Sequence, residues 1–565
     1  MAIKSTAAKV ATIQKGYALD GPAIELGAAI VDGELHKDAP VRLPLAMMNR
    51  HGLVAGATGT GKTVTLHMMA EQLSTAGVPV FLADLKGDLS GLATAATGSE
   101  KLLARTAGIG QPWSGKTFPV EFLALGGDGN GVPVRATITS FGPILLSRVM
   151  ELNDTQESSL QLVFHFADKN NLELIDLKDL RAVIQFLTSD EGKDELKELG
   201  GLAKSTAGVI LRELITLEAQ GLEKFFGEPE FDAAELLRTA PDGRGVVSCL
   251  ELPTLQTKPM LFSTFLMWLL ADLFEDLPEA GDLDKPKLVF FLDEAHLLFN
   301  GASKAFLDAI TTTVRLIRSK GVGIFFVTQT PKDVPADVLG QLANRVQHAL
   351  RAYTPEDAKA LKAAVSTFPI SDYDLEETLT SAGIGEAVVT VLNENGAPTP
   401  VALTRLRAPE SVMGPSAAAL ISSTVAGSAL LPKYGTAVDG VSAYEKLTGK
   451  ASAGALPDGR TVPDGGALPD GGGTDTVDAE ARRIEEEILG RPSSRPAPRP
   501  EHQAPHPPRR RAPEQAGGGA AGDLAGALGG ALGSGLQSMA RSLGTQLGRE
   551  LLRGVFGTSS KRRRR

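Results

Sequence analysis

Short continuous apolar runs alternate with segments whose apolar residues recur every three or four positions, and this alternation fills the middle of the chain. Leu53-Val54-Ala55, Val78 to Asp84, Gly245 to Leu252, Lys287 to Asp293 and Gly323 to Thr328 have the length and composition of strands buried on both faces. Between the first two, Leu66, Met69, Ala70 and Leu73 form a helical stripe, and Gly77 stands where a helix cap belongs. Strand, turn, helix and strand make a βαβ unit. Its continuation predicts an α/β fold with a doubly wound core. Residues 91–241 are mostly helical in pattern, most clearly from Ile144 to Asp168, Leu177 to Leu187 and Thr206 to Phe226, and read as a large helical insertion. Ahead of the core, Ile24-Glu25-Leu26 and Ala28 to Val31, broken by Asp32-Gly33, predict a short β element within residues 1–48.

Beyond about Leu406 the texture changes. After an extension over residues 411–448, Leu456-Pro457-Asp458-Gly459 recurs in near-copies at Val462 and Leu468, and a Pro/Arg-rich stretch runs from Arg491 to Pro513. Such segments cannot bury enough apolar surface to offset chain entropy, so residues 449–520 read as a disordered linker, interrupted by a short charged helix from Asp478 to Leu489. Within 521–565, Leu524, Leu528, Leu532, Leu536, Met539, Leu543, Leu547 and Leu551 form one apolar stripe on an amphipathic helix ending in Lys561 and four arginines. Three readings of this tail stand: a helix that docks on a partner or its own oligomer, an anchor to anionic membrane or nucleic acid, and solvated disorder.

The length of 565 residues allows two or three domains, and 42% hydrophobic residues suffice for a full core. Fourteen basic and four acidic residues follow Leu489, so the net charge of −10 divides into a tail near +10 and a body near −20. That body is no generally basic coat for nucleic acid; contact with phosphate requires a local ring or groove. The single cysteine, Cys249, lies in an apolar run, which excludes an intramolecular disulfide and a cysteine-cluster metal site. The first residues of the chain lack the charged-then-apolar pattern of a signal peptide, so none is expected there. Its most apolar helix candidate, Leu261 to Phe274, is too short to cross a bilayer, so a cytoplasmic location is expected.

Chemistry enters at Gly56-Ala57-Thr58-Gly59-Thr60-Gly61-Lys62-Thr63, which fits the phosphate-binding loop between its strand and its helix. Glycines let backbone N–H groups turn towards the β-phosphate, the lysine reaches the β- and γ-phosphates, and the threonine hydroxyl ligates Mg2+. ATP and Mg2+ are therefore the expected cofactors. With Val64 these residues form the candidate nucleotide-binding set. Hydrolysis also needs a metal-binding carboxylate and a base for water. The apolar run ending at Asp293-Glu294 supplies both, with Asp293 beside the metal and Glu294 placed to orient or deprotonate water. Two readings stand for His296, coupling to substrate and a structural role. Gln329 ends the next apolar run and reads either as a polar group in reach of the γ-phosphate that senses hydrolysis or as a strand-end glutamine in the turn with Pro331. Asp84 reads either as a tuner of the metal shell or as a helix cap. Arg315, Arg318, Arg345 and Arg351 are the candidates for a cation that stabilises the transferred phosphoryl group.

These strings, together with Asn49-Arg50-His51-Gly52 before the loop, Asp84-Leu85-Lys86-Gly87-Asp88, Arg318-Ser319-Lys320-Gly321 and Thr328-Gln329-Thr330-Pro331, resemble the HerA branch of the HerA/FtsK ATPases. Leu152-Asn153-Asp154-Thr155-Gln156 and Phe225-Phe226-Gly227-Glu228-Pro229 extend the likeness to the bacterial YjgR-type subgroup. The resemblance implies a RecA-like P-loop core over residues 49–410, hexameric rings with active sites between subunits, and translocation of double-stranded DNA. It implies phosphate and metal binding by Lys62 and Thr63, metal support by Asp293, water activation by Glu294 and γ-phosphate sensing by Gln329. It further implies an arginine finger at Arg318 into the adjacent subunit and support of nucleotide by Arg50 within its own. The β region ahead of the loop is shorter than a full HerA barrel, which bears on oligomer geometry and on docking of a nuclease. A ring ATPase acting on polypeptides or a membrane-associated assembly, and an ATP-dependent switch, are the alternative functions.

Overall fold

A computed structural model describes residues 5–449, apart from 128, 199, 253–258, 282, 301 and 303. The linker and amphipathic tail read from the sequence lie outside the described residues. Twelve strands form one sheet: β1 (Ala23–Val31), β2 (Glu34–Pro44), β3 (Gly52–Ala55), β4 (Val80–Asp84), β5 (Val120–Leu125), β6 (Val132–Val134), β7 (Val247–Glu251), β8 (Leu288–Leu292), β9 (Val322–Thr328), β10 (Asn344–His348), β11 (Glu386–Thr390) and β12 (Ala402–Leu406). Their spatial order is β2-β1-β12-β11-β10-β3-β9-β8-β4-β7-β5-β6. From β10 to β6 every pairing is parallel, and the four strands on the other side are antiparallel.

Alternation along the strands explains why these runs are apolar throughout. Leu53, Phe81, Leu123, Leu250, Phe290 and Ile324 enter one buried core, and their neighbours Val54, Leu82, Phe122, Cys249, Phe291 and Phe325 enter another. The first core is completed by the helices Ile138–Val149, Asp154–Lys169, Leu177–Thr188, Lys204–Ala219 and Pro259–Asp276. The second is completed by α1 (Thr6–Gly16) and α2 (Lys62–Thr75), through Val10 and Ile13 of the former and Leu66, Met69 and Leu73 of the latter. Cys249 is fully buried there, and burial holds its thiol well above its ordinary pKa.

Several elements depart from the expected pattern. β5 and β6 lie inside the stretch read as helical; Glu121 interrupts the apolar run of β5 and is held by an ion pair to Arg238 at 2.8 Å. The span from Ile144 to Asp168 is two helices, because Asn153 caps the second through a reciprocal bond with Gln156. The short β element of the N-terminus is not set apart from the core: β1 pairs with β12 in the same sheet, and α1 precedes it. Residues of the 411–448 extension pack back on the body, where Tyr434 is buried and its carbonyl accepts from Arg135 Nη1 at 2.9 Å. No helix among the described residues is long and apolar enough to cross a membrane.

Candidate active site

The carboxyl edge of the parallel strands gathers the loop and the acids. β9 lies between β3 and β8, with Ala55 level with Thr328 and Leu292 level with Phe326. The chain segments leaving β3, β8 and β9 therefore emerge side by side. β3 turns at Gly56, and α2 begins at Lys62. Gly59 and Gly61 take φ of +78° and +109°, a region that side chains disfavour. A Cβ on Gly56 would stand 2.4 Å from the Cβ of His348, so the loop needs glycine there for close approach.

Behind the loop, His348 at the end of β10 supports it. Its Nε2 lies 2.9 Å from Thr65 Oγ1, and burial, reinforced by the nearby Lys62 ammonium, lowers the imidazole to about 4, which keeps it neutral near pH 7. From the other side, the turn before β11 meets the loop where Gly385 N–H donates to the Thr60 carbonyl at 3.1 Å. Arg105 fixes that turn by donating to the Gly385 carbonyl at 2.9 Å.

Lys62 folds over the loop and donates to the carbonyls of Gly56 at 2.8 Å and Ala57 at 3.2 Å. Burial lowers its pKa, and the charges of Glu294 and Asp293 oppose that shift. Asp293 is 5% exposed; burial raises its carboxyl to about 6, while the Glu294 N–H donates to its Oδ1 at 2.8 Å. The Thr63 hydroxyl and the Asp293 carboxylate are hard oxygen donors of the kind a magnesium ion takes alongside phosphate oxygens, and a site of this type needs no cluster of protein ligands. Among the described residues no group of three or more metal-ligating side chains exists.

Glu294 has a backbone φ of +47°, unusual for a residue with a side chain, directly after β8. One carboxylate oxygen is ion-paired with Lys86, and the other lies 3.2 Å from His296 Nδ1. Burial pushes this carboxyl upward, the Lys86 ammonium outweighs it, and the group ends below its ordinary value. Gln329 is exposed just past β9. Its turn is fixed by Asp333, whose carboxylate accepts from Thr328 Oγ1 at 2.7 Å and from the Thr330 N–H at 3.0 Å. Asp84, at the end of β4, accepts from the N–H groups of Gly87 at 2.7 Å, Leu89 at 3.0 Å and Lys86 at 3.2 Å, and so acts as the cap of that loop.

The arginines separate by edge. Arg50 ends the turn before β3, and Arg318 precedes β9, so both stand at the amino edge of the sheet. β3 is four residues long, roughly 13 Å, which sets Arg50 away from the loop of its own chain. Burial and the charge of the Arg50 guanidinium lower the pKa of Arg318. Arg345 donates to the Thr367 carbonyl at 3.3 Å, Arg315 is exposed on the helix Lys304–Ile317, and Arg351 at the carboxyl edge donates to Tyr353 Oη at 3.2 Å. Of the supporting groups not singled out from the sequence, Asp333 carried a signal, the Thr-x-x-Asp spacing of a capping box. His348, Arg105 and Gly385 carried none, because their roles depend on strands that meet only in the folded sheet.

The helicase HerA-like C-terminal family matches residues 30–486, and the chain belongs to that family of P-loop ATPases. A curated relative, the DNA double-strand break repair helicase HerA of Saccharolobus solfataricus, is 23% identical over 385 residues, covering 66% of this chain and 67% of that protein. Among solved structures, the plasmid coupling protein TrwB in complex with a non-hydrolysable ATP analogue has a TM-score of 0.47 and 16% identity, over 74% of this chain and 96% of that one. VirB4 of Thermoanaerobacter pseudethanolicus has a TM-score of 0.42 and 15% identity, over 69% of this chain and 97% of that one.

Proposed function

We propose that the protein is an ATP-hydrolysing ring motor that translocates along double-stranded DNA. The observation that supports the reading is that the loop bearing Lys62 and the turn bearing Asp293 and Glu294 leave β3 and β8 at the same edge of the sheet, on either side of β9. In this reading the residues Gly56 to Val64 would wrap the phosphates of ATP, and Thr63 and Asp293 would hold a magnesium ion, which would supply charge neutralisation. Glu294 takes the proton of the attacking water, and Gln329 senses the γ-phosphate. Arg318 is exposed at the amino edge, away from the loop of its own chain, which suits a finger that completes the site of a neighbouring subunit. Arg50 then belongs with that finger.

DNA as the polymer is supported by the relative named as a DNA double-strand break repair helicase. The acidic body restricts any DNA contact to a local surface such as the lining of a ring. The test is phosphate release by the purified full chain across a series of DNAs, with particle mass measured in parallel. Duplex DNA is expected to raise the rate several-fold, and ATP with magnesium to favour a particle of six chains. A rate indifferent to every DNA, with polypeptide raising it instead, would move the assignment to a protein-handling ATPase.

A further inference from the structure

Two lysines, not one, face the acids at the carboxyl edge. Lys86 lies on the loop after β4, and the three N–H groups that Asp84 holds, those of Lys86, Gly87 and Leu89, tether its backbone. Gly87, with φ of +74°, supplies the turn. The lysine side chain, 48% exposed, crosses to β8 and ion-pairs with Glu294, whose side chain is 11% exposed. The ammonium is therefore on a fixed base with a free arm. Its partner is the carboxylate to which the proposed function gives the proton of the attacking water.

That contact conflicts with the task of Glu294. A carboxylate bonded to an ammonium is a poorer proton acceptor than a free one. Asp293 lies within electrostatic range of both lysines, and Lys62 and Lys86 repel each other. A γ-phosphate arriving beside Lys62 carries more negative charge than one carboxylate and offers three acceptor oxygens, so it competes for the exposed arm of Lys86.

We propose that Lys86 reads the γ-phosphate: it holds Glu294 when no triphosphate is bound and moves to the γ-phosphate oxygens when one is, freeing Glu294 to act on water. The exchange makes and breaks ion pairs only, and no covalent bond changes. A nucleoside diphosphate presents no γ-phosphate and leaves the Lys86–Glu294 pair in place. The site so completed recognises a nucleoside triphosphate by its terminal group, and the inference rests on the ATPase reading given above.

Calorimetric titration of the full chain with ADP and with a non-hydrolysable ATP analogue, both with magnesium, tests this. Lys86→Met is expected to weaken the triphosphate analogue about tenfold, the size of a lost charge-assisted contact, while ADP affinity stays within about twofold. Lys86→Arg should restore most of the difference, because it keeps the cation. In a Glu294→Gln background the competing partner is gone, and the wild-type lysine should bind the triphosphate more tightly than in the parent chain. Equal weakening of both nucleotides by Lys86→Met would assign the residue a structural role and overturn the inference, as would an unchanged ratio. A parent chain that binds neither nucleotide would instead remove the ATPase reading itself.

Discussion

Glu294→Gln is expected to lower ATP turnover by about 10²–10⁴-fold, the range for removing a positioned general base, while ATP stays bound. The substitution keeps the size of the side chain and removes its charge, so the turn after β8 and its φ of +47° are retained. Single-turnover phosphate release reads the chemical step, and retention of labelled ATP reads binding. Nucleotide affinity is expected to hold or rise, because one negative charge leaves the surroundings of Lys62. Turnover that survives the change would show that another group activates water. Loss of binding together with turnover would place Glu294 in nucleotide recognition.

Trp268→Ala is expected to be the most damaging single change to stability away from the site, at about 3–5 kcal/mol. Trp268 is fully buried on the helix Pro259–Asp276, with ring centroids 5.8 Å from Phe225 and 6.1 Å from Phe265. Phe265 in turn meets Phe81 of β4 at 6.3 Å, and Phe81 meets Phe290 of β8 at 5.0 Å. One aromatic chain thus runs from the helical region to the strand that carries the acids. Truncation opens a cavity at its centre, and urea unfolding would detect the loss as a lower midpoint. Trp268→Phe keeps an aromatic body and should cost much less. Equal midpoints for the alanine variant and the parent would mean that the helix is not fastened to the sheet through this residue.

What the sequence could convey divides along the line between local and distant. The phosphate loop, the Asp293-Glu294 pair and Gln329 could be singled out because each stands within a few positions of the end of an apolar run. The order of the strands was not legible. That Gln329 emerges beside Gly56 depends on β9 lying between β3 and β8, which is a pairing across more than 230 residues. Arg50 is close to the loop in the chain, and a four-residue strand carries it to the opposite edge. Helix boundaries suffered where the apolar pattern ran through a cap, as at Asn153, although the Asn-x-x-Gln spacing was present to read. α1 was missed because its sequence is rich in Thr, Ala and Lys, and only Val10 and Ile13 are buried. Lys86 appeared only within the string that follows Asp84. Its contact with Glu294 needed β4 and β8 to be neighbours.

A structure of the Glu294→Gln chain with ATP and magnesium would show whether triphosphate chemistry belongs at this edge of the sheet. The triphosphate is expected to be wrapped by residues 56–63, with one magnesium ion about 2.0–2.1 Å from the Thr63 hydroxyl and Asp293 close enough to support it directly or through water. A triphosphate bound elsewhere, or a magnesium ion at the loop with the β8 acids turned away from it, would refute the assignment of Asp293 and Glu294 to this chemistry.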